Sequence, residues 1–207
     1  VAILGGAKVS DKIPVIKALL SKVDTIIIGG GMAYTFLAAN GKSVGNSLLQ
    51  EEMIPVAKKL QEEAEAVGVN LMLPFDFVIA DDFSNDARQE VVDEDHIKDG
   101  WEALDIGPQS AIAFGNVIKG AKTVLWNGPM GVFEMPSFAE GTNAVALALV
   151  EATKFGATSI IGGGDSASAI KNAGLSDQVS HVSTGGGASL EYLEGKDLPG
   201  LSSLTDK

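Results

Sequence analysis

Cysteine is absent from this 207-residue chain. That excludes disulfides and thiolate metal sites, and it fits a reducing compartment. Histidine is nearly absent too: His96 and His181 each stand outside any metal-ligand spacing, and no serine-protease-like set accompanies them. Positive charge is scarce, with 15 Lys and Arg against 27 Asp and Glu for a net charge of −12. Such a balance argues against nucleic acid or an anionic membrane as partner, because both need a basic field. A small anionic substrate stays compatible if a few lysines gather at one place. No apolar run approaches the ~18–20 residues of a membrane span, and "AVALALV", from Ala144 to Val150, sits inside a helical pattern. No stretch reads as a secretory signal, so a cytoplasmic protein is expected. Val1 already lies in a strand-like run, and the chain reads as a piece of something longer.

Glycine is abundant. The 25 glycines make up about 12% of the chain against a usual share near 7%. With 45% hydrophobic and 20% charged residues the chain is globular, and by size it buries roughly 70% of its unfolded surface. The glycines cluster in "VAILGGAKVSDK", "TIIIGGGMAY", "TVLWNGPMGV", "IIGGGDSASA" and "HVSTGGGASLE", each time just after an apolar run. Strands are predicted at residues 1–4, 25–28, 70–73, 123–126, 158–161 and 181–183, with a further candidate at 77–81. Helices are predicted at 10–22, 32–40, 51–67, 108–119, 137–155, 166–173 and 188–194. The polar stretch 80–100 reads as a long excursion at the edge. Alternating strands and helices with near-continuous apolar strands imply an α/β fold. We expect one three-layer, Rossmann-like domain with a mostly parallel central sheet flanked by helices.

In such sheets ligands bind outside the carboxyl ends of the strands, where all five clusters fall. Glycine there exposes backbone N–H groups, and a following helix adds partial positive charge, which suits an anion. Lys8 and Lys12, four apart at the predicted start of the first helix, sharpen the case. Cations there oppose the helix dipole by ~0.3–1 kcal/mol each, a cost that phosphate would offset at about 4 kcal/mol per close charge pair. Asp165 has two readings, as a helix cap or as a carboxylate for Mg²⁺. "GKS" at residues 41–43 is not a P-loop, since Phe36 stands where its first glycine belongs. Gly162, Gly164 and Ala167 match a dinucleotide fingerprint, but no acid ends the following strand.

Together "GGAKVSDK", "IIIGGGMAYTFL", "LPFDFVIADDF", "WNGPMGVFE", "IIGGGDSASA" and "HVSTGGGASLEYLEGKDLPG" resemble phosphoglycerate kinase, in the family's order and over essentially the whole chain. The resemblance is to the C-terminal, nucleotide-binding half of a two-domain kinase, with residues 1–207 as that domain. It implies phosphoryl transfer between 1,3-bisphosphoglycerate and ADP, giving 3-phosphoglycerate and ATP in glycolysis. ATP or ADP with Mg²⁺ would be the cofactor set, and the phosphoglycerate would reach the site through the N-terminal domain. By the resemblance, Lys8 and Lys12 contact nucleotide phosphates and the group in flight, beside the backbone of Gly6 and Ala7. Asn127 meets the phosphate chain, with Pro129 near it, and Glu134 takes the ribose hydroxyls. Asp165 directs Mg²⁺ on a turn lined by Gly163, Gly164 and Ser166. Gly29, Gly30, Leu48, Ala103 and Leu104 form the adenine slot, and Gly185, Gly186 and Gly187 supply N–H groups to the moving phosphoryl. The chain is expected to act as a monomer and, by itself, to bind nucleotide without turnover. A non-catalytic nucleotide-binding module is the alternative.

Overall fold

A computed structural model describes residues 1–183, 185 and 187–204. The chain runs β1 (Ala2–Leu4), α1 (Ile13–Leu19), β2 (Thr25–Ile28), α2 (Met32–Ala39), α3 (Ile54–Ala66) and β3 (Asn70–Met72). It continues through β4 (Asp76–Ala80), β5 (Gln89–Asp93), β6 (Glu102–Ile106), α4 (Pro108–Gly120), β7 (Thr123–Asn127) and α5 (Glu140–Lys154). Last come β8 (Thr158–Ile161), α6 (Gly164–Asn172), β9 (His181–Val182), α7 (Gly187–Leu193) and α8 (Pro199–Ser202). Among the described residues no helix is long and apolar enough to cross a membrane.

Six strands form one parallel sheet in the order β3-β2-β1-β7-β8-β9. Its strands look uniformly apolar because both faces are covered. Ile3, Ile27, Val124, Trp126 and Ile161 point to one face, under Phe114, Ile118, Val145, Leu149 and Ile170 of α4, α5 and α6. Ala2, Leu4, Ile26 and Ile28 point to the other, under Val15, Ile16, Phe36 and Leu60 of α1, α2 and α3. The period-2 alternation of strand side chains thus splits one apolar run between two cores. The expected three layers are present.

The antiparallel sheet β5-β4-β6 departs from the sequence expectation. Residues 80–100 contain β5, whose alternation is masked because it is a largely exposed edge strand. Phe77, Ile79 and Ala103 of this sheet pack on Tyr34 and Leu37 of α2. Asp76 joins the sheet to the next helix: its carboxylate accepts the N–H groups of Gln109 at 2.9 Å and Ser110 at 2.7 Å. Those are first-turn donors of α4 that the helix itself cannot satisfy.

The first helix is shorter than the predicted 10–22. Pro14 sits in its first turn, where a missing N–H costs nothing, and residues 9–12 form a turn closed by the Lys12 N–H on the Val9 carbonyl at 2.9 Å. Lys8 and Lys12 therefore share no helical face. The predicted helix at 137–155 likewise divides into a 3₁₀ turn, Pro136–Phe138, and α5.

Candidate functional site

The order of the parallel sheet reverses between β1 and β7, and such a switch point opens a crevice at the carboxyl ends of the strands. Here the two strands end in register, Leu4 beside Asn127, and the chains beyond them stay close. The Gly5 N–H donates to the Asn127 carbonyl at 2.9 Å. A Cβ on Gly5 would lie 2.0 Å from the Pro129 carbonyl oxygen, and one on Gly128 would lie 2.2 Å from that of Gly5. Glycine is required at both positions by this approach, which leaves bare backbone as the floor of the crevice.

Three side chains tie the floor together. Lys12 donates from its ammonium to Asn127 Oδ1. Ser166, fully buried, accepts the Gly128 N–H on its hydroxyl at 2.6 Å. Gly163 enters α6 at φ 92°, and a Cβ there would lie 3.0 Å from Asn127 Nδ2. Asn127 is thereby boxed between Lys12 and the α6 turn. Burial holds the Lys12 ammonium below the ordinary lysine range, while Asp11 and Asp165 pull it up.

Two clefts meet over this floor. The first, about 380 Å³, is lined by Lys8, Lys12, Asn127, Gly163, Gly164, Ser166 and Gly187 among others. The second, about 290 Å³, is lined by Gly30, Leu48, Ala103, Leu104, Pro129 and Glu134 among others. Gly6, Ala7 and Asp165 line both. One compartment is polar and glycine-walled and the other is largely apolar, and they share a junction.

Nearly every residue singled out in the sequence lies in one of these clefts. Gly29 does not: it is buried, and Met130 Sδ fills the space beside it, 2.4 Å from where a Cβ would stand. Gly186 lies outside the described residues, while Gly185 is exposed next to it. Ser166 turns its hydroxyl inward to Gly128 and works as a brace. Asp165 is the second residue of α6, exposed, and the helix start at Gly163 carries no side-chain cap bond. Among the described residues no hydrogen bond reaches the Asp165 carboxylate, and its place in the first turn suits the helix dipole. Among the described residues no group of three or more His, Cys, Asp or Glu could hold a metal ion. A divalent ion here would rely on phosphate oxygens and one carboxylate, and the exposed Asp165 at the junction fits that demand.

The sequence reasoning missed Tyr34, Phe83 and Glu102, which also line the second cleft. Tyr34 reads as one more apolar-face residue of α2. Phe83 and Glu102 belong to the small antiparallel sheet and its loop, and without that sheet nothing brings them near the glycines.

These features define a doubly wound α/β domain with a two-compartment cleft at its strand-order switch. The family described as phosphoglycerate kinase matches residues 1–196, and the chain belongs to that family. Phosphoglycerate kinase of Latilactobacillus sakei is 60% identical over 207 residues, and that of Leuconostoc mesenteroides is 57% identical over 208. Each alignment covers 100% of this chain but 50% and 51% of the relative. The chain thus spans about half the length of the curated relatives it matches. Among solved structures, phosphoglycerate kinase from Coxiella burnetii superposes with a TM-score of 0.93 at 44% identity, covering 97% of this chain and 51% of that one. The enzyme from Pyrococcus horikoshii gives 0.79 at 28% identity, with 97% and 50% covered.

Proposed function

We propose that this chain is the nucleotide-binding, C-terminal half of a two-domain phosphoglycerate kinase. The observation that carries the reading is the junction of the clefts at Gly6, Ala7 and Asp165. A purine nucleoside with its phosphate chain has the same division: a flat apolar base at one end, anionic oxygens at the other. The base enters between Leu48 and Leu104, with Gly30 and Ala103 giving it room. Glu134 accepts hydrogen bonds from the ribose hydroxyls. The phosphates lie over the floor at Gly6 and Ala7, where Lys8, Lys12 and Asn127 reach them.

Mg²⁺ bound between Asp165 and the phosphates would supply charge neutralisation at the β- and γ-oxygens. Phosphoryl transfer between 1,3-bisphosphoglycerate and ADP asks little covalent work of protein groups. It asks for in-line positioning and neutralisation of charge on the equatorial oxygens. Lys12 is the residue for the second task. Its ammonium is partly desolvated, so its field at the moving group is weakly screened, and Asn127 fixes where it stands. Gly187, at the rim of the first cleft, offers backbone N–H toward the same place. No general base is needed, because the phosphoglycerate carboxylate is already ionised.

In this reading the acid substrate sits on the N-terminal half that the relatives possess. The chain then binds MgADP without turning over, and gains turnover when that half is supplied. Titrating the chain with MgADP and with NAD tests the nucleotide site. Mixing it with the remaining half of the Latilactobacillus sakei enzyme and assaying ATP formation separates a kinase half from a binding module.

A further inference from the structure

Asp105 lies near the end of β6, fully buried, and the nucleotide reading gives it no task. One carboxylate oxygen accepts the N–H of Gly141, in the first turn of α5, at 2.7 Å, and the other accepts that of Ile106 at 2.9 Å. Gly131 presses on the same group: a Cβ there would lie 2.3 Å from Asp105 Oδ1, and one on Gly141 would lie 2.5 Å from it. The carboxylate thus stands where β6, α5 and the loop 128–135 meet. That loop lines the second cleft through Pro129, Gly131, Val132 and Glu134. It is tied to the same two elements by the Val132 N–H on the Leu104 carbonyl at 2.8 Å and the Met130 N–H on Thr142 Oγ1 at 3.0 Å.

Two accepted N–H groups do not cancel a buried negative charge, and among the described residues no cation pairs with Asp105. From α5 it faces Glu140, of its own sign. From α2 it faces the buried phenol of Tyr34, whose proton is held more firmly by burial first and then by the charges of Asp105 and Glu102. β4 sets the uncharged Val78 opposite it. Desolvation accordingly lifts the Asp105 carboxyl to about 7, whereas open to water it would ionise near 4. Ionisation therefore favours any arrangement that admits water to the junction. Of the three parts that enclose the group, only the loop 128–135 has neither strand nor helix to hold it. We propose that Asp105 is a proton-controlled latch on the wall of the nucleotide cleft: protonated, it keeps the loop that carries Glu134 packed on β6 and α5, and ionised, it loosens that loop and weakens nucleotide binding. The inference rests on the nucleotide reading and adds a regulation to it. Binding selects the packed loop, so by reciprocity it draws a proton onto Asp105.

The test measures MgADP affinity by calorimetric titration at pH 6, 7 and 8 for wild type, Asp105→Asn and Glu140→Gln, and thermal unfolding confirms that each is folded. Titration of the nucleotide phosphates is common to all three proteins and cancels in the comparison. Wild-type affinity should fall by about three- to tenfold from pH 6 to pH 8 beyond any change in Asp105→Asn, which cannot ionise at this position. At pH 7, in two buffers of different ionisation enthalpy, wild type should take up a fraction of a proton on binding that Asp105→Asn does not. Glu140→Gln removes the like charge facing Asp105 and should move the wild-type profile to lower pH. If Asp105→Asn fails to fold, the shift in Glu140→Gln carries the test. Parallel pH profiles in wild type and folded Asp105→Asn, or an unshifted profile in Glu140→Gln, overturn the latch and leave the nucleotide site standing. Failure of wild type to bind MgADP at all three pH values overturns the nucleotide reading itself.

Discussion

The Lys12 ammonium is hydrogen-bonded to the side-chain oxygen of Asn127, joining the turn before α1 to the end of β7 across 115 positions of sequence. The bond spans the switch point of the sheet and fixes where the side chain assigned to the moving phosphoryl stands. Combined with the remaining half of the Latilactobacillus sakei enzyme, wild type should form ATP from 1,3-bisphosphoglycerate and ADP. Lys12→Ala should lower that rate about a hundredfold or more, the usual effect of removing one group that stabilises transition-state charge. MgADP affinity should change far less. Unaltered turnover in Lys12→Ala would remove Lys12 from the chemistry.

Asp165 makes a prediction that a helix cap would not. If its carboxylate holds Mg²⁺ against the phosphates, Asp165→Ala weakens MgADP binding strongly and metal-free ADP binding little. The ratio of the two dissociation constants, with and without EDTA, is the measurement. Equal losses in both would return Asp165 to a structural role at the start of α6.

Ser166→Ala tests the brace beneath the floor. Losing the hydroxyl leaves the buried Gly128 N–H without its 2.6 Å partner, a defect worth roughly 1–3 kcal/mol. Urea unfolding should show that loss in the absence of nucleotide. A variant as stable as wild type would mean that Gly128 finds another acceptor.

Asp105 gives a pH dependence of known sign. It is buried, accepts the N–H groups of Gly141 at 2.7 Å and Ile106 at 2.9 Å, and faces Glu140. Desolvation lifts its carboxyl to about 7 from 3.8, against the lowering effect of those two donors. The folded state thus holds a proton that the unfolded chain releases. Its contribution to stability is complete below about pH 4 and is lost as pH rises through about 7. Wild type relative to Asp105→Asn should therefore be more stable at pH 5 than at pH 8 by an amount on the order of 2–3 kcal/mol. A difference independent of pH would contradict this.

Much of this was legible in the sequence, for physical reasons. A parallel strand buried on both faces writes itself as a short apolar run, and a bare-backbone floor writes itself as glycine. So the six strands of the main sheet and the cluster at Gly6, Asn127 and Gly163 could be read directly. Three things could not. The edge strand β5, "QEVVD", carries too few buried residues to show a pattern. The brace role of Ser166 depends on a partner 38 residues away. The exclusion of Gly29 from the slot depends on how Met130 packs. Each is a tertiary contact with no local signature.

The most direct measurement is MgADP binding by the chain alone, followed by calorimetry and thermal unfolding. At a hundredfold its dissociation constant, nucleotide should stabilise the folded state by about 2.7 kcal/mol. For a chain of this length that raises the midpoint by roughly 5–10 °C, and NAD at the same concentration should leave it unmoved. No heat and no shift at millimolar MgADP would contradict the account at its centre.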